Sequence, residues 1–410
     1  MEKVQLQIKY ALKNSPFYKK KLNDFASSIE NDFTLEKYKN LPFTSKEDLS
    51  EHNDAFLAIK RNKIAEYVTT SGTSGSPVTV FLSKKDILRL AKNEYDSLKL
   101  MGNSSKDIFQ LMTTIDKQFM AGLAYYLGVQ KLNAGLIRIG PGVPQLQIDA
   151  ILKYLPTKII AVPSFIVALI NFAKNNEIDL NKTSVKSIVC IGEPIRNLDF
   201  SLNVLGQKIT ENWDVQLYST YASTEMGAAF SECSAFNGCH LNEDLLFAEV
   251  IKENGEDAKN GEIGEIIVTP LGVTGTPVIR YKTGDLAHVY YGKCSCGKNS
   301  LRLGPIVGRK NQMIKYKGTT IYPNSIFEIL DQHNEIPIYK IQISKDELEN
   351  DDITILLPVS IEHLKLELKL QEKFKSKIKV LPKINFIEDD LLLNLVHSKK
   401  SRKPTKIEFI

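Results

Sequence analysis

The chain has 410 residues, 43% hydrophobic, 25% charged and 9% aromatic, and a formal net charge of +5. That length exceeds one ordinary core and predicts two or three compact units, while the composition excludes disordered and fibrous classes. Basic residues are interleaved with acidic ones, so nothing marks a nucleic-acid partner; the Lys-rich end (Lys399, Lys400, Arg402, Lys403, Lys406) is the local exception.

The opening Met1-Glu-Lys-Val lacks a leader's apolar stretch and no apolar run reaches spanning length. The expectation is therefore a cytoplasmic protein with no membrane partner. Residues 1–60 read as helical and solvated, with turns at Asn14-Ser15-Pro16 and Leu41-Pro42-Phe43. Thr44-Ser45-Lys46-Glu47 is the signature of a capped helix start. Two β-branched runs, Ile64–Val68 and Val78–Leu82, then flank Thr69-Thr70-Ser71-Gly72-Thr73-Ser74-Gly75-Ser76. The two glycines let successive N–H groups turn inward around an anion, and the hydroxyls add donors. This predicts a phosphate-gripping hairpin; taken alone, the stretch also suits a polar turn without a ligand. It is no P-loop, because no Gly-Lys-Ser/Thr closes it and a strand follows.

Lys84–Leu100 has helical periodicity. From Asp107 to Tyr218 short apolar strands (Ile108–Met112, Leu136–Ile139, Lys158–Val162, Ser187–Ile191, Val215–Tyr218) alternate with helices (Phe119–Leu127, Gln145–Leu155, Phe165–Asn175, Asn197–Leu205). Such alternation predicts a largely parallel sheet covered by helices, with phosphate ligands at the strands' carboxyl ends. From Ala248 the pattern turns β-rich. The segment from Lys310 onward reads as a separate α+β domain with one long helix, Ile361–Ile378.

Ile191-Gly192-Glu193-Pro194, Tyr221-Ala222-Ser223-Thr224-Glu225, Arg280-Tyr281-Lys282-Thr283-Gly284-Asp285 and Gly308-Arg309-Lys310-Asn311 follow the hairpin in order. Together these five motifs resemble the adenylate-forming superfamily of acyl-CoA synthetases, adenylation domains and luciferases. Asn14-Ser15-Pro16-Phe17-Tyr18, Leu41–Leu49 and Gly238-Cys239-His240-Leu241-Asn242-Glu243-Asp244 look like its phenylacetate–CoA ligase branch. The resemblance implies an α/β fold: a large N-terminal domain (1–308) with helix-covered sheets and a β-rich part, and a small mobile α+β C-terminal domain (309–410). It implies ATP-dependent activation of a carboxylic acid, of the aryl class, to an acyl-adenylate. Transfer to the thiol of CoA follows. A carrier-protein phosphopantetheine arm as acceptor, and a non-catalytic nucleotide binder, are the competing readings, and a homodimer is left open.

On the same resemblance Thr70, Ser71, Gly72, Thr73, Ser74 and Gly75 match the phosphate loop. Thr224 matches a hydroxyl on the phosphates and Glu225 the Mg²⁺ carboxylate. Gly192, Glu193 and Pro194 would flank the base, Tyr221 would also bind the nucleotide, Asp285 would take the ribose hydroxyls, and Arg309 would contact ribose and phosphate. Asn311 stands at the hinge, where Asp or Lys is usual. Lys403 matches the lysine that meets carboxylate and α-phosphate during adenylation. The Gly normally before it is missing and Pro404 follows, so Lys400 and Lys406 are alternatives. The acyl pocket would lie among Phe119–Tyr126, Gly140-Pro141-Gly142, Ser164-Phe165 and Ala222-Ser223. Ala222 replaces a common Gly there and Ile195 a usual Trp, which departs from a phenylacetate slot.

Of the five cysteines, Cys233, Cys239, Cys294 and Cys296 fall in two close pairs, the first beside His240. In a cytosolic protein such pairs point to structural tetrahedral zinc rather than disulfides. Cys233, His240, Cys294 and Cys296 are the favoured ligands, with a four-Cys set using Cys239 as the other choice. Cys190, ending a core strand, reads as packing.

Overall fold

The computed structural model describes residues 1–31, 33–70, 78–316, 319–333, 335–345, 351–361, 363–396 and 406–410. They divide into two compact units, one of Met1–Thr70, Ser76–Thr283 and Ala287–Ile306, the other of Gly284–Leu286 and Val307–Ile410.

The first unit begins with helices, among them Glu2–Asn14, Pro16–Lys21 and Lys46–Glu51. Ser45 caps the last as expected: its Oγ accepts from the Asp48 N–H, and the Asp48 carboxylate accepts from the Ser45 N–H at 2.8 Å. Strands β1 (Ile64–Thr69) and β2 (Thr79–Ser83) pair antiparallel, Thr69 opposite Thr79, so the Ser/Gly/Thr stretch is the connection of a true hairpin.

Next come β3 (Ile108–Leu111), β4 (Gly135–Arg138), β5 (Lys158–Ala161), β6 (Ser187–Cys190) and β7 (Gln216–Ser223). They are followed by β8 (Ala228–Glu232), β9 (Cys239–His240), β10 (Leu246–Ile251), β11 (Ile263–Pro270), β12 (Tyr281–Tyr290) and β13 (Arg302–Arg309). These eleven form one sheet in the order β10-β11-β12-β13-β9-β8-β7-β6-β5-β3-β4. From β4 to β7 all pairs are parallel, and β7 to β8 turns antiparallel. Helices Met120–Lys131, Pro144–Tyr154 and Pro163–Asn175 make the crossovers. Ile188, Val189 and Cys190 are buried on both faces, which explains the unbroken apolar run of β6. Cys190 packs with Ile188 and Ile195, and burial raises its thiol pKa, in keeping with an inert core thiol.

Two expectations need correction. No helix spans 197–205; Asn203 caps a shorter one, Val204–Thr210, by accepting from the Gly206 N–H at 3.0 Å. Before it, Asp199 accepts from the Ser201 N–H at 2.9 Å and Phe200 takes φ +68°, a local turn that outcompetes the helix. The strand expected to end at Tyr218 runs on to Ser223, so Tyr221 sits in β7 rather than after it.

In the second unit β14 (Ile314–Tyr316) and β15 (Thr319–Ile321) form a hairpin. β16 (Lys340–Lys345), β17 (Asp351–Pro358), β18 (Lys383–Ile387) and β19 (Ile407–Phe409) make a sheet ordered β18-β17-β16-β19. Helices Pro323–Asp331, His363–Ile378 and Asp389–Val396 accompany it. Its own core includes Ile341, Ile353, Ile355 and Phe374 at 0% exposure, which is what lets it be a separate unit.

Candidate active site and candidate metal centre

The carboxyl ends of the parallel strands gather the predicted residues of the first unit. After β5, Ser164 opens the helix Pro163–Asn175; its N–H and hydroxyl donate to the Glu193 carboxylate at 2.8 and 2.9 Å. The helix N-terminus thus holds Glu193 in place, as unpaired N–H donors there favour an anion. Gly192 takes φ +77°, a left-handed turn that lets the chain leave β6 and present Glu193 to Ser164. The Pro194 carbonyl accepts from Asn203 Nδ2 at 3.0 Å. After β4, Gln147 Nε2 donates to the Gly140 and Gly142 carbonyls at 2.8 and 3.2 Å and pins the Gly-Pro-Gly turn.

Tyr221 lies on β7, its ring 5.9 Å from that of Phe230. Thr224 and Glu225 form the β7–β8 turn, which closes through the Gly227 N–H donating to the Ser223 and Thr224 carbonyls. Glu225 is half-buried, and Tyr281, itself 2% exposed, donates its hydroxyl to Glu225 Oε1 at 3.2 Å. A partly hydrated carboxylate oriented in this way is a hard oxygen donor of the type a water-sharing divalent cation takes.

Arg89, a residue the motifs do not point to, holds this turn from behind. Its Nε donates to the Leu271 carbonyl at 2.7 Å, its Nη1 to the Met226 and Gly227 carbonyls, and its Nη2 to the Leu245 carbonyl at 2.5 Å. Burial pulls its pKa down to about 10, still far above neutrality, so the cation persists. Lys85 and Lys92 share its helix, so in the sequence Arg89 looks like one more solvated charge.

Thr70 closes the hairpin: its N–H donates to the Val78 carbonyl, and the Val78 N–H to Thr70 Oγ1, both at 3.0 Å. Ser71, Gly72, Thr73, Ser74 and Gly75 lie outside the described residues, as do Lys400 and Lys403. Lys406 is engaged, with Nζ 3.0 Å from the Tyr339 hydroxyl, 3.4 Å from Asp331 and 4.6 Å from the Tyr339 ring centre. In the second unit Arg309 donates from Nε to Asp285 Oδ1 at 3.2 Å. Asn311 lies in a single 3₁₀ turn, Lys310–Gln312.

The sulfur and imidazole ligands converge from three separate turns and strands. Cys233 follows β8, His240 ends β9 between β8 and β13, and Cys294 and Cys296 lie in the β12–β13 loop. That loop is closed by Cys294 N–H to the Lys298 carbonyl and Gly297 N–H to the Cys294 carbonyl. One ligand atom from each of Cys233, His240, Cys294 and Cys296 lies within 4.8 Å of all the others. Tetrahedral bonds of about 2.3 Å to sulfur and about 2.0–2.1 Å to nitrogen require S···S near ~3.8 Å and S···N near ~3.6 Å. The observed Cys233–Cys294 Sγ separation is 3.8 Å and the Cys296 Sγ to His240 Nε2 separation 3.5 Å. Ser300 Oγ lies 2.7 Å from His240 Nδ1, which orients the ring so that Nε2 faces the sulfurs. Burial, then Arg302 and Lys298, lowers the imidazole pKa to about 4, so the ring is neutral, the form able to hold a metal ion. Cys239 turns away, its Sγ 3.6 Å from the Ser219 carbonyl, which removes it from the set. A lone serine carries no sequence signal, so Ser300 was legible only in the fold.

Residues 4–275 match the model of the family described as AMP-binding enzyme. The phenylacetate-coenzyme A ligase of Thermus thermophilus is 27% identical over 352 residues, 84% of this chain and 77% of that protein. The Escherichia coli phenylacetate-coenzyme A ligase is 26% identical over 353 residues, with 84% and 78% covered. Protein CapK of Staphylococcus aureus is 22% identical over 400 residues, with 88% and 80% covered. Among solved structures, 2-hydroxyisobutyryl-CoA ligase in a postadenylation complex superposes with a TM-score of 0.84 at 20% identity, covering 100% of this chain and 88% of that one. At that identity the likeness establishes the fold.

Proposed function

The chain belongs to the AMP-binding enzyme family, and on that premise we propose that it joins a carboxylic acid to the AMP part of ATP and hands the acyl group to CoA. In the first step a carboxylate oxygen attacks the α-phosphorus and the bond to the bridging oxygen breaks. Acyl-adenylate forms and pyrophosphate leaves. In the second, the thiolate attacks the acyl carbon, a thioester forms, and AMP leaves with the carboxylate oxygen. Little covalent work falls to the protein, which positions two anions and stabilises the charge that crowds at phosphorus. The observation that carries this reading is the strand-end arrangement: Gly192–Pro194, Thr224 and Glu225 in motif order at the carboxyl ends of β6 and β7.

Thr224 supplies a hydroxyl to the phosphates and Glu225 holds Mg²⁺, with Tyr281 fixing one carboxylate oxygen. Thr70 and residues 71–75 grip the outer phosphates, and Gly192, Glu193, Pro194 and Tyr221 border the base. Asp285 takes the ribose hydroxyls with Arg309 beside it, in keeping with their ion pair. Lys403 meets the reacting oxygens; the engagement of Lys406 by Asp331 and Tyr339 supports that choice. Residues 309–410 act as a domain that rotates about Asn311 between the two steps. The acid is aryl, the class named in the phenylacetate-coenzyme A ligase relatives, and the reaction takes place in the cytoplasm. The Cys233/His240/Cys294/Cys296 cluster holds zinc, a closed and structural ion supported by the match to tetrahedral spacing.

The test is pyrophosphate release against a panel of carboxylic acids, with CoA or a carrier protein supplied as acceptor. Acid-dependent release followed by acyl-CoA supports the reading. Thioester on carrier protein alone would move the acceptor, and ATP binding without release under any acid would make the chain a nucleotide binder.

A further inference from the structure

The face of β7 that borders the expected acyl pocket carries a polar side chain, Thr220, behind Ala222. Ala222 pairs with Ala229 and Thr220 with Ser231, so these four side chains share one face of the sheet. Ala222 is exposed there, whereas Ala229 and Ser231 are 3% and 2% exposed. Tyr125, on the helix bounding the same face, has its hydroxyl 3.4 Å from Thr220 Oγ1. Against that helix lies Glu94, so close that a Cβ added at Gly128 would collide with the Glu94 side chain. Tyr125 thus stands beside both Thr220 and Glu94: its hydroxyl meets Thr220, and burial, then the Glu94 charge, raises its phenol pKa.

Glu94 is only 5% exposed and its neighbour Asn93 0%. Asn93 Nδ2 donates to Glu94 Oε1 at 3.0 Å, and nothing further among the described residues satisfies the pair: Glu94 Oε2 and Asn93 Oδ1 have no hydrogen-bond partner. With Glu94 ionised, both orphan atoms are acceptors. Buried acceptors left unpaired in this way are destabilising unless a donor arrives, and more so where the group is charged. Burial also pushes the Glu94 carboxyl up to about 7.

From this geometry we infer that Glu94 and Asn93 read a hydrogen-bond donor, a hydroxyl or an amino group, on the far end of the acyl substrate. The inference rests on the proposed activity and deepens it: the substrate is a carboxylic acid carrying such a donor, not a plain hydrocarbon acid. A site built around buried acceptors discriminates strongly against the analogue that leaves them unpaired.

Binding is measured by calorimetry with Mg²⁺ and a non-hydrolysable ATP analogue, so turnover is not required. The probes are phenylacetate with its para-hydroxy and para-amino forms, and a straight-chain acid with its ω-hydroxy and ω-amino forms. Wild type is expected to bind the donor-bearing member of at least one set about tenfold to a hundredfold more tightly, as one or two such hydrogen bonds provide. Glu94→Gln, of equal volume, should erase the amino preference, and Glu94→Leu both preferences. Should Glu94→Leu not fold, the Gln variant carries the test. Equal affinity within every set, preference surviving in the variants, or binding of no acid (the orphan atoms then being served by buried water) overturns the inference. Pyrophosphate release separates the two claims: preference without release sinks the proposed reaction alone, and release without preference sinks the substrate inference alone.

Discussion

The Cys/His cluster and the strand-end site are built in opposite ways, though both lie in the first unit. At the cluster Cys233 and His240 are 0% and 2% exposed, the ligand atoms already sit at bonding separation, and Ser300 fixes the imidazole. At the strand ends Tyr221, Thr224 and Glu225 are only partly buried and Ala222 is open. The donors of a structural ion would be part of the fold, and these are assembled and sealed. A site that must admit and release substrates presents its donors on loops and keeps them rigid from behind, here through Arg89 on the Met226 and Gly227 carbonyls.

The contrast breaks most sharply at the charges that act on phosphorus. Lys403→Ala should slow adenylate formation about a thousandfold while leaving thioester formation from pre-made acyl-adenylate near normal. Paired single-turnover assays read this. An equal fall in both half-reactions would make Lys403 a folding residue; no fall in either would pass the role to Lys400. Next in size, Glu225→Gln should cost about a hundredfold in Mg²⁺-dependent turnover with bound zinc and melting temperature retained. Wild-type turnover in that variant would end the assignment of Glu225.

Cys294→Ser should do the converse. Elemental analysis should fall from about one zinc per chain in the wild type to a small fraction of that, with a lowered melting temperature. A zinc-free, fully stable wild type would overturn the metal centre.

A further effect concerns pH. The Glu94 carboxyl has a folded pKa near 7, above its value of 4.5 in water. Between those values the folded chain binds the proton that the unfolded chain has released. Stability from this group is therefore complete below 4.5 and is lost as pH rises through 7. The loss should reach about 3 kcal/mol in the wild type, and Glu94→Gln should flatten it. Denaturant melts across that window give the slope, and a parallel slope in both proteins would show that Glu94 does not titrate there.

The motifs around Glu193, Glu225 and the cysteines were legible because each joins rare residue types at fixed spacing. The alternation from β3 to β7 was legible because parallel strands buried on both faces leave short apolar runs. Arg89, Ser300 and Glu94 were not. Arg89 serves carbonyls more than a hundred positions away, at Met226 and beyond, and Ser300 meets His240 only because β9 pairs with β13. Glu94 sits among charged neighbours on a helix whose buried face only the fold defines. The misplaced helix at 197–205 has a similar origin: Asp199 and Asn203 can fold a turn or cap a helix, and the Phe200 backbone decided between them.

Everything proposed for the strand-end site turns on cleavage of ATP at its α-phosphorus to activate an acid. The most direct measurement separates the nucleotide products formed with CoA and the best acid of the panel. One AMP and one pyrophosphate should form for each acyl-CoA, with pyrophosphate exchanging back into ATP when CoA is withheld. ADP and inorganic phosphate as products, or exchange that does not depend on the acid, would contradict it.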